Sequence, residues 1–221
     1  MSGISPAAGG EDPGSALSFH CRIHRPAGPA GLTLVLLHGS GADETSLVPL
    51  AREIAPDALL LAVRGRVVQD GGPRWFARVT PTRFVQESIR AEAAAFAGFA
   101  RSAAGALRFD LSRAVFLGYS NGANLVTSVM LLNPDVITRA VLLRAIPVLD
   151  HVPGTDLSAA RILAISGTAD VTYAPFASTL VELLRRHGAE VEDRVVPAGH
   201  EFGADDAALA RDWLMKLQRR H

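Results

Sequence analysis

Three residues far apart in the chain are of the types needed to activate a hydroxyl nucleophile. Ser120 stands in Gly118-Tyr119-Ser120-Asn121-Gly122, Asp170 in Gly167-Thr168-Ala169-Asp170, and His200 in Pro197-Ala198-Gly199-His200-Glu201. A free serine hydroxyl is hardly ionised at neutral pH, so it attacks a carbonyl only when a base within hydrogen-bond reach takes its proton. Histidine suits that task because its unperturbed pKa, about 6.5, lies close to neutrality. A carboxylate behind the ring holds the right tautomer and stabilises the imidazolium that forms. The chemistry these residues point to is acyl transfer through a covalent intermediate. The order serine, acid, histidine is the one associated with a serine on a sharp strand-to-helix turn. Glycines two residues before and after Ser120 fit such a turn, because side chains there would collide with the neighbouring strand and helix.

Attack on a carbonyl also requires preorganised donors for the developing oxyanion. The Asn121 N–H is one candidate, since it opens a helix at the positive end of the dipole. Ser40, in His38-Gly39-Ser40-Gly41-Ala42-Asp43, is the other. That glycine-rich stretch has neither the G-x-G-x-x-G of a dinucleotide site nor the G-K-[ST] of a P-loop. His38 reads as a brace for the loop rather than as the base. Neither an H-E-x-x-H nor a paired-cysteine pattern occurs, so no metal is expected. The loop 64–80 contains Trp75 and Phe76, which either wall the substrate site or pack beneath the loop. Asp150 and His151 read as solvated.

These residues need a frame that brings them to one edge. Apolar runs at 32–37, 58–63, 113–117, 139–144, 161–166 and 190–196 read as strands, several of them apolar enough to be covered on both faces. Helical patterns fill the intervals at 44–55, 81–107, 121–132, 175–187 and 205–219. Cys21 falls on a further strand. Such alternation implies an α/β fold, a mostly parallel central sheet with helices on both faces. In an open parallel sheet, ligands sit at the carboxyl ends of the strands. His38–Asp43, the Ser120 turn, Asp170 and His200 all follow strands at that edge. Residues 1–16, rich in Gly, Ala, Ser and Pro, read as a flexible tail. Residues 17–221 read as one domain with no large cap.

Composition narrows the function. The 221 residues are 48% hydrophobic and carry 22 basic against 22 acidic side chains. A balanced chain lacks the basic footprint of a nucleic-acid binder, and no Lys/Arg cluster is present to attract an anionic membrane. No apolar run reaches the length of a membrane span. Residues 1–15 lack Lys and Arg and have no apolar stretch, so they do not read as a secretory signal. The single Cys21 cannot pair within the chain, which favours a reducing compartment. The expectation is a cytoplasmic protein.

The motifs together resemble the small carboxylesterase/phospholipase branch of the α/β-hydrolases, which also holds acyl-thioesterases. The resemblance runs from about Thr33 to Trp213. It rests on Leu37-His38-Gly39-Ser40-Gly41, Arg64-Gly65, Arg74-Trp75-Phe76, the segment Phe116–Ala123, Gly167-Thr168-Ala169-Asp170 and Gly199-His200. It implies cofactor-free hydrolysis of esters or thioesters, with Ser120, Asp170 and His200 as the triad and Ser40 and Asn121 at the oxyanion positions. It also implies a capless site for a small-molecule ester and a homodimer. A thioesterase, a lysophospholipase and a non-catalytic binding protein on the same fold are the alternatives.

Overall fold

The computed structural model describes residues 18–219. The expected N-terminal tail lies outside the described residues. In chain order the elements are β1 (Cys21–His24), β2 (Thr33–Leu37), α1 (Val48–Ile54), β3 (Leu59–Val63), β4 (Val67–Gln69), β5 (Gly72–Arg74), β6 (Arg78–Thr80), β7 (Arg83–Phe84), α2 (Gln86–Leu107), β8 (Val115–Tyr119), α3 (Asn121–Leu132), β9 (Arg139–Leu143), β10 (Arg161–Gly167), α4 (Ala174–Arg186), β11 (Glu190–Val196) and α5 (Ala204–Arg219). Seven strands form one sheet in the order β1-β3-β2-β8-β9-β10-β11. All neighbours are parallel except β1, which runs antiparallel to β3 with Cys21 opposite Val63.

The alternation along each strand decides which side of the sheet a residue feeds. In β2, Leu34 and Leu36 join the core beneath α1 and α5, while Val35 and Leu37 join the core beneath α2, α3 and α4. Both sets are essentially fully buried, as apolar runs in a doubly covered sheet must be. From β2 the chain steps outward to β3. It returns to β8 on the other side of β2 and then proceeds to β9, β10 and β11. The strand order therefore reverses between β2 and β8. The crevice at their carboxyl ends is where such a sheet accepts a ligand.

Two segments depart from the sequence reading. The helix expected over 81–107 begins at Gln86, and the segment 64–80, read as a loop, contains paired strands. β4 and β5 form a hairpin closed by Asp70 and Gly71, both at positive φ. An Asp-Gly pair between extended residues is the strongest short-range hairpin signal, and Val67-Val68-Gln69-Asp70-Gly71-Gly72 carried it. In the β6–β7 hairpin the Thr80 hydroxyl accepts from the Arg83 N–H at 3.0 Å, and the Val85 N–H donates to the Ala77 carbonyl. These bonds satisfy residues that an earlier helix start would have claimed. Likewise α1 starts at Val48 rather than near residue 44. The Asp43 carboxylate accepts from the N–H and the hydroxyl of Thr45, a turn that competes with helix.

Glu44, just after that turn, ties three segments together. Its side chain is fully buried. It accepts from Arg22 Nε at 2.8 Å and from Arg64 through both Nε and Nη2, and lies 3.3 Å from His20 Nε2. Burial alone would raise its pKa, but the Arg64 and Arg22 hydrogen bonds outweigh it and hold the carboxyl at about 2, against an ordinary 4.5. The depressed pKa means that this stabilisation is complete above the ordinary value and disappears as pH falls through about 2. At 1.36 kcal/mol per pKa unit the shift corresponds to up to about 3 kcal/mol, which partial solvent exposure of the two arginines trims to about 2. Glu44→Gln should therefore lose about 2 kcal/mol in urea unfolding at neutral pH. The wild type should lose the same amount on acidification, a loss absent from the variant.

Candidate active site

Ser120, the candidate nucleophile, sits at the transition from β8 to α3. Ser120 adopts φ 50° and ψ −114°, a conformation that few non-glycine residues adopt. Its N–H donates to the Leu143 carbonyl at the end of β9, and its carbonyl accepts from the Asn124 N–H inside α3. The flanking glycines are needed for space. A Cβ on Gly118 would lie 2.6 Å from the Ala123 N and Cα, and one on Gly122 would collide with the carbonyls of Leu37 and His38 in β2 and the residue after it. These are backbone atoms of the central sheet and its helix, so they cannot move aside.

Ser120, Asp170 and His200 meet at this edge. His200 Nε2 is 3.0 Å from Ser120 Oγ, and His200 Nδ1 is 2.7 Å from Asp170 Oδ2. Since a carboxylate can only accept, Nδ1 carries the proton and Nε2 is left free to accept from the serine hydroxyl. Asp170 is almost wholly buried, whereas the His200 side chain is 32% exposed, so solvent reaches the imidazole but not the carboxylate. The other Asp170 oxygen accepts from the Tyr173 N–H at 3.1 Å. The chain has only two tyrosines, and both rings lie against the imidazole. Tyr119 is 5.3 Å and Tyr173 4.7 Å from it between centroids. Neither tyrosine stood out in the sequence, because their roles depend on where β8 and α4 sit.

The two candidate oxyanion donors follow adjacent strands, Ser40 in the loop after β2 and Asn121 at the turn after β8. Asn121 opens α3, where the first N–H groups have no carbonyl to bond. Among the described residues neither the Ser40 N–H nor the Asn121 N–H donates to another group. The Ser40 loop is held at both ends. Gly41 donates to the Pro73 carbonyl at 2.9 Å. His38 Nε2 accepts from the Gly65 N–H at 2.9 Å, which leaves Nδ1 protonated to donate to the Gly39 carbonyl at 2.7 Å. Burial lowers the His38 pKa, so this ring stays neutral and acts as the brace its position suggested.

Trp75 and Phe76 do not wall an open site. Both are completely buried. Trp75 stacks on His38, donates its indole N–H to the His38 carbonyl at 2.8 Å, and packs edge-on to Phe96. Phe76 packs edge-on to Phe84. Of the two readings of these aromatics, packing beneath the hairpins is the one their burial matches, because a side chain without accessible surface cannot touch a substrate in this conformation. Trp75 still bears on the candidate site, since its backbone N–H donates to Asn121 Oδ1 at 2.8 Å and so fixes the residue after Ser120. Asp150 and His151 are exposed. Among the described residues no three His, Cys, Asp or Glu side chains gather to hold a metal ion, and no helix is long and apolar enough to cross a membrane.

A mostly parallel sheet with a serine turn after its central strand and an acid and a histidine after later strands defines the α/β-hydrolase class. The chain belongs to that family, in its carboxylesterase branch. It is 32% identical over 187 residues to MhqD of Bacillus subtilis (strain 168), which is assigned as a hydrolase, covering 84% of this chain and 94% of that protein. A carboxylesterase from Mesorhizobium loti superposes with a TM-score of 0.89 at 56% identity, over 91% of this chain and 96% of that one. The Bacillus cereus carboxylesterase superposes with a TM-score of 0.87 at 28% identity, again over 91% and 96%. No protein-family model matches the chain.

The fit around the serine turn gives a direct test. Gly122→Ala should lower ester turnover by about two orders of magnitude or more, because the serine must move away from the donors and the base. Gly98→Ala, in the interior of α2 where an added Cβ meets nothing, should leave turnover unchanged and raise stability by about 0.5–1 kcal/mol. Thermal melts and ester turnover on both variants check this.

Proposed function

We propose that this protein is a serine carboxylesterase acting on small or short-chain esters through an acyl-enzyme. The observation that carries the reading is the continuous relay Asp170 Oδ2, His200 Nδ1, His200 Nε2, Ser120 Oγ, with contacts of 2.7 and 3.0 Å. In the first half-reaction Oγ attacks the ester carbonyl while Nε2 takes its proton. The N–H groups of Ser40 and Asn121 receive the oxyanion. Collapse expels the alkoxide, which leaves as alcohol with the proton from Nε2. Water then attacks the acyl-enzyme by the same route and releases the acid and the free serine.

The preference for small esters is supported by the lack of a large cap among the described residues: between β3 and α2 the chain adds only the two short hairpins. Cytoplasmic residence, supported by the lone Cys21, and a homodimer belong to the same reading.

Ser120→Ala should lower kcat by several orders of magnitude with little change in KM, and should abolish labelling by a fluorophosphonate. Retention of most of the turnover would remove Ser120 from the nucleophile role. Because imidazolium has no lone pair to accept the serine proton, kcat/KM should rise with pH along a single-proton limb and then level off. A panel of acetyl, butyryl and octanoyl esters beside the matching thioesters, measured as kcat/KM, should favour the short esters.

A further inference from the structure

We infer that Arg144 is a positioning residue for the general base, acting through a buried ion pair with Asp206. The inference rests on His200 being that base. The loop 197–203 has no helix or strand of its own, yet it must deliver the imidazole to residues carried by β8 and β10. Four of its consecutive carbonyls accept from groups outside it. The Ala198 carbonyl takes the Ala169 N–H at 2.9 Å. The Gly199 carbonyl takes Arg144 Nε at 3.0 Å, and the Glu201 carbonyl takes Arg144 Nη2 at 2.8 Å. Between them the His200 carbonyl takes the Tyr119 hydroxyl at 3.2 Å. One guanidinium thus grips the backbone on both sides of the histidine.

The grip is itself held. Arg144 is fully buried and leaves the end of β9 with φ 55°. Its N–H donates to the Ile165 carbonyl in β10 at 2.9 Å. Asp206, in the first turn of α5, accepts Nη1 at 2.8 Å and Nη2 at 3.1 Å, and also the Gly203 N–H at 2.9 Å. Only a planar fork can satisfy a carboxylate and two divergent carbonyls together; a lysine ammonium is a single point donor. Tyr119 keeps its proton for the third bond, since burial and the nearby Glu201 push its phenol up to about 12. Burying an ion pair is an expensive way to stabilise a fold, and well-packed apolar residues usually do as well. This pair stands directly beneath the one loop whose placement sets the base-to-serine distance.

The test separates placement from stability. Arg144→Lys keeps the charge beside Asp206 but releases at least one of the two carbonyls. It should lower kcat per active site, counted by burst titration, about 10- to 100-fold, with KM changed by less than about 2-fold. A normal kcat per titrated site overturns the inference, even if fewer sites titrate. The double variant Arg144→Met/Asp206→Leu leaves no unpaired charge and should melt cooperatively near the wild-type temperature. It should still show the lowered kcat. A folded double variant with wild-type kcat also overturns the inference, and if it does not fold, the lysine variant decides. His200→Ala, run in parallel, distinguishes the two levels. Loss of turnover there with normal turnover in Arg144→Lys condemns the clamp alone, whereas normal turnover in His200→Ala removes the base itself.

Discussion

The backbone of Ser120 is the constraint around which the molecule is arranged. A side chain at φ 50° and ψ −114° costs on the order of 1–3 kcal/mol and persists only where the surroundings over-determine it. Here they do. The serine N–H is anchored to β9, its carbonyl starts the ladder of α3, and Gly118 and Gly122 let strand and helix approach to backbone contact. The turn lies where the strand order reverses between β2 and β8, so the hydroxyl emerges into the crevice that this topology leaves open. The Ser40 loop is drawn to the same point. Asn121, the residue after the serine, accepts from the Trp75 N–H, while the Trp75 indole holds the His38 carbonyl.

The loops at this edge have little regular structure of their own, and buried charge holds them in place. Glu44 secures the base of the Ser40 loop against β1 and the residue after β3. Arg144 and Asp206 secure the His200 loop against β9 and α5. Such groups are tolerated inside a protein only with full hydrogen bonding, and both carboxylates and the guanidinium have it. The polar network is therefore stiff, because moving any one loop would leave a charge without partners. Stiffness is what a relay of hydrogen bonds at 2.7 and 3.0 Å requires.

The two tyrosines supply the remaining surroundings of the imidazole. Tyr119 precedes the serine and Tyr173 follows the acid by three residues, so each is delivered by the chain segment that carries a relay partner. The Tyr173 hydroxyl also donates to the Pro81 carbonyl at 3.3 Å, which joins the β6–β7 hairpin to the rim of the site.

The chain alone specified everything that depends on local pattern. The apolar runs announced a covered parallel sheet, the glycine spacing announced the turn at Ser120, and the order Ser120, Asp170, His200 announced the relay. Each of these is written in neighbouring residues or in strand ends that share one edge. The β4–β5 hairpin is equally local, signalled by Asp70-Gly71. Only the tertiary structure decided that Trp75 and Phe76 are core, that Glu44 bridges β1 and the residue after β3, and that Arg144 lies under His200 in contact with Asp206. Each of those outcomes depends on which elements become neighbours across the sheet. A side chain's type does not reveal that, because the same arginine or tryptophan would be surface, wall or brace according to what folds against it.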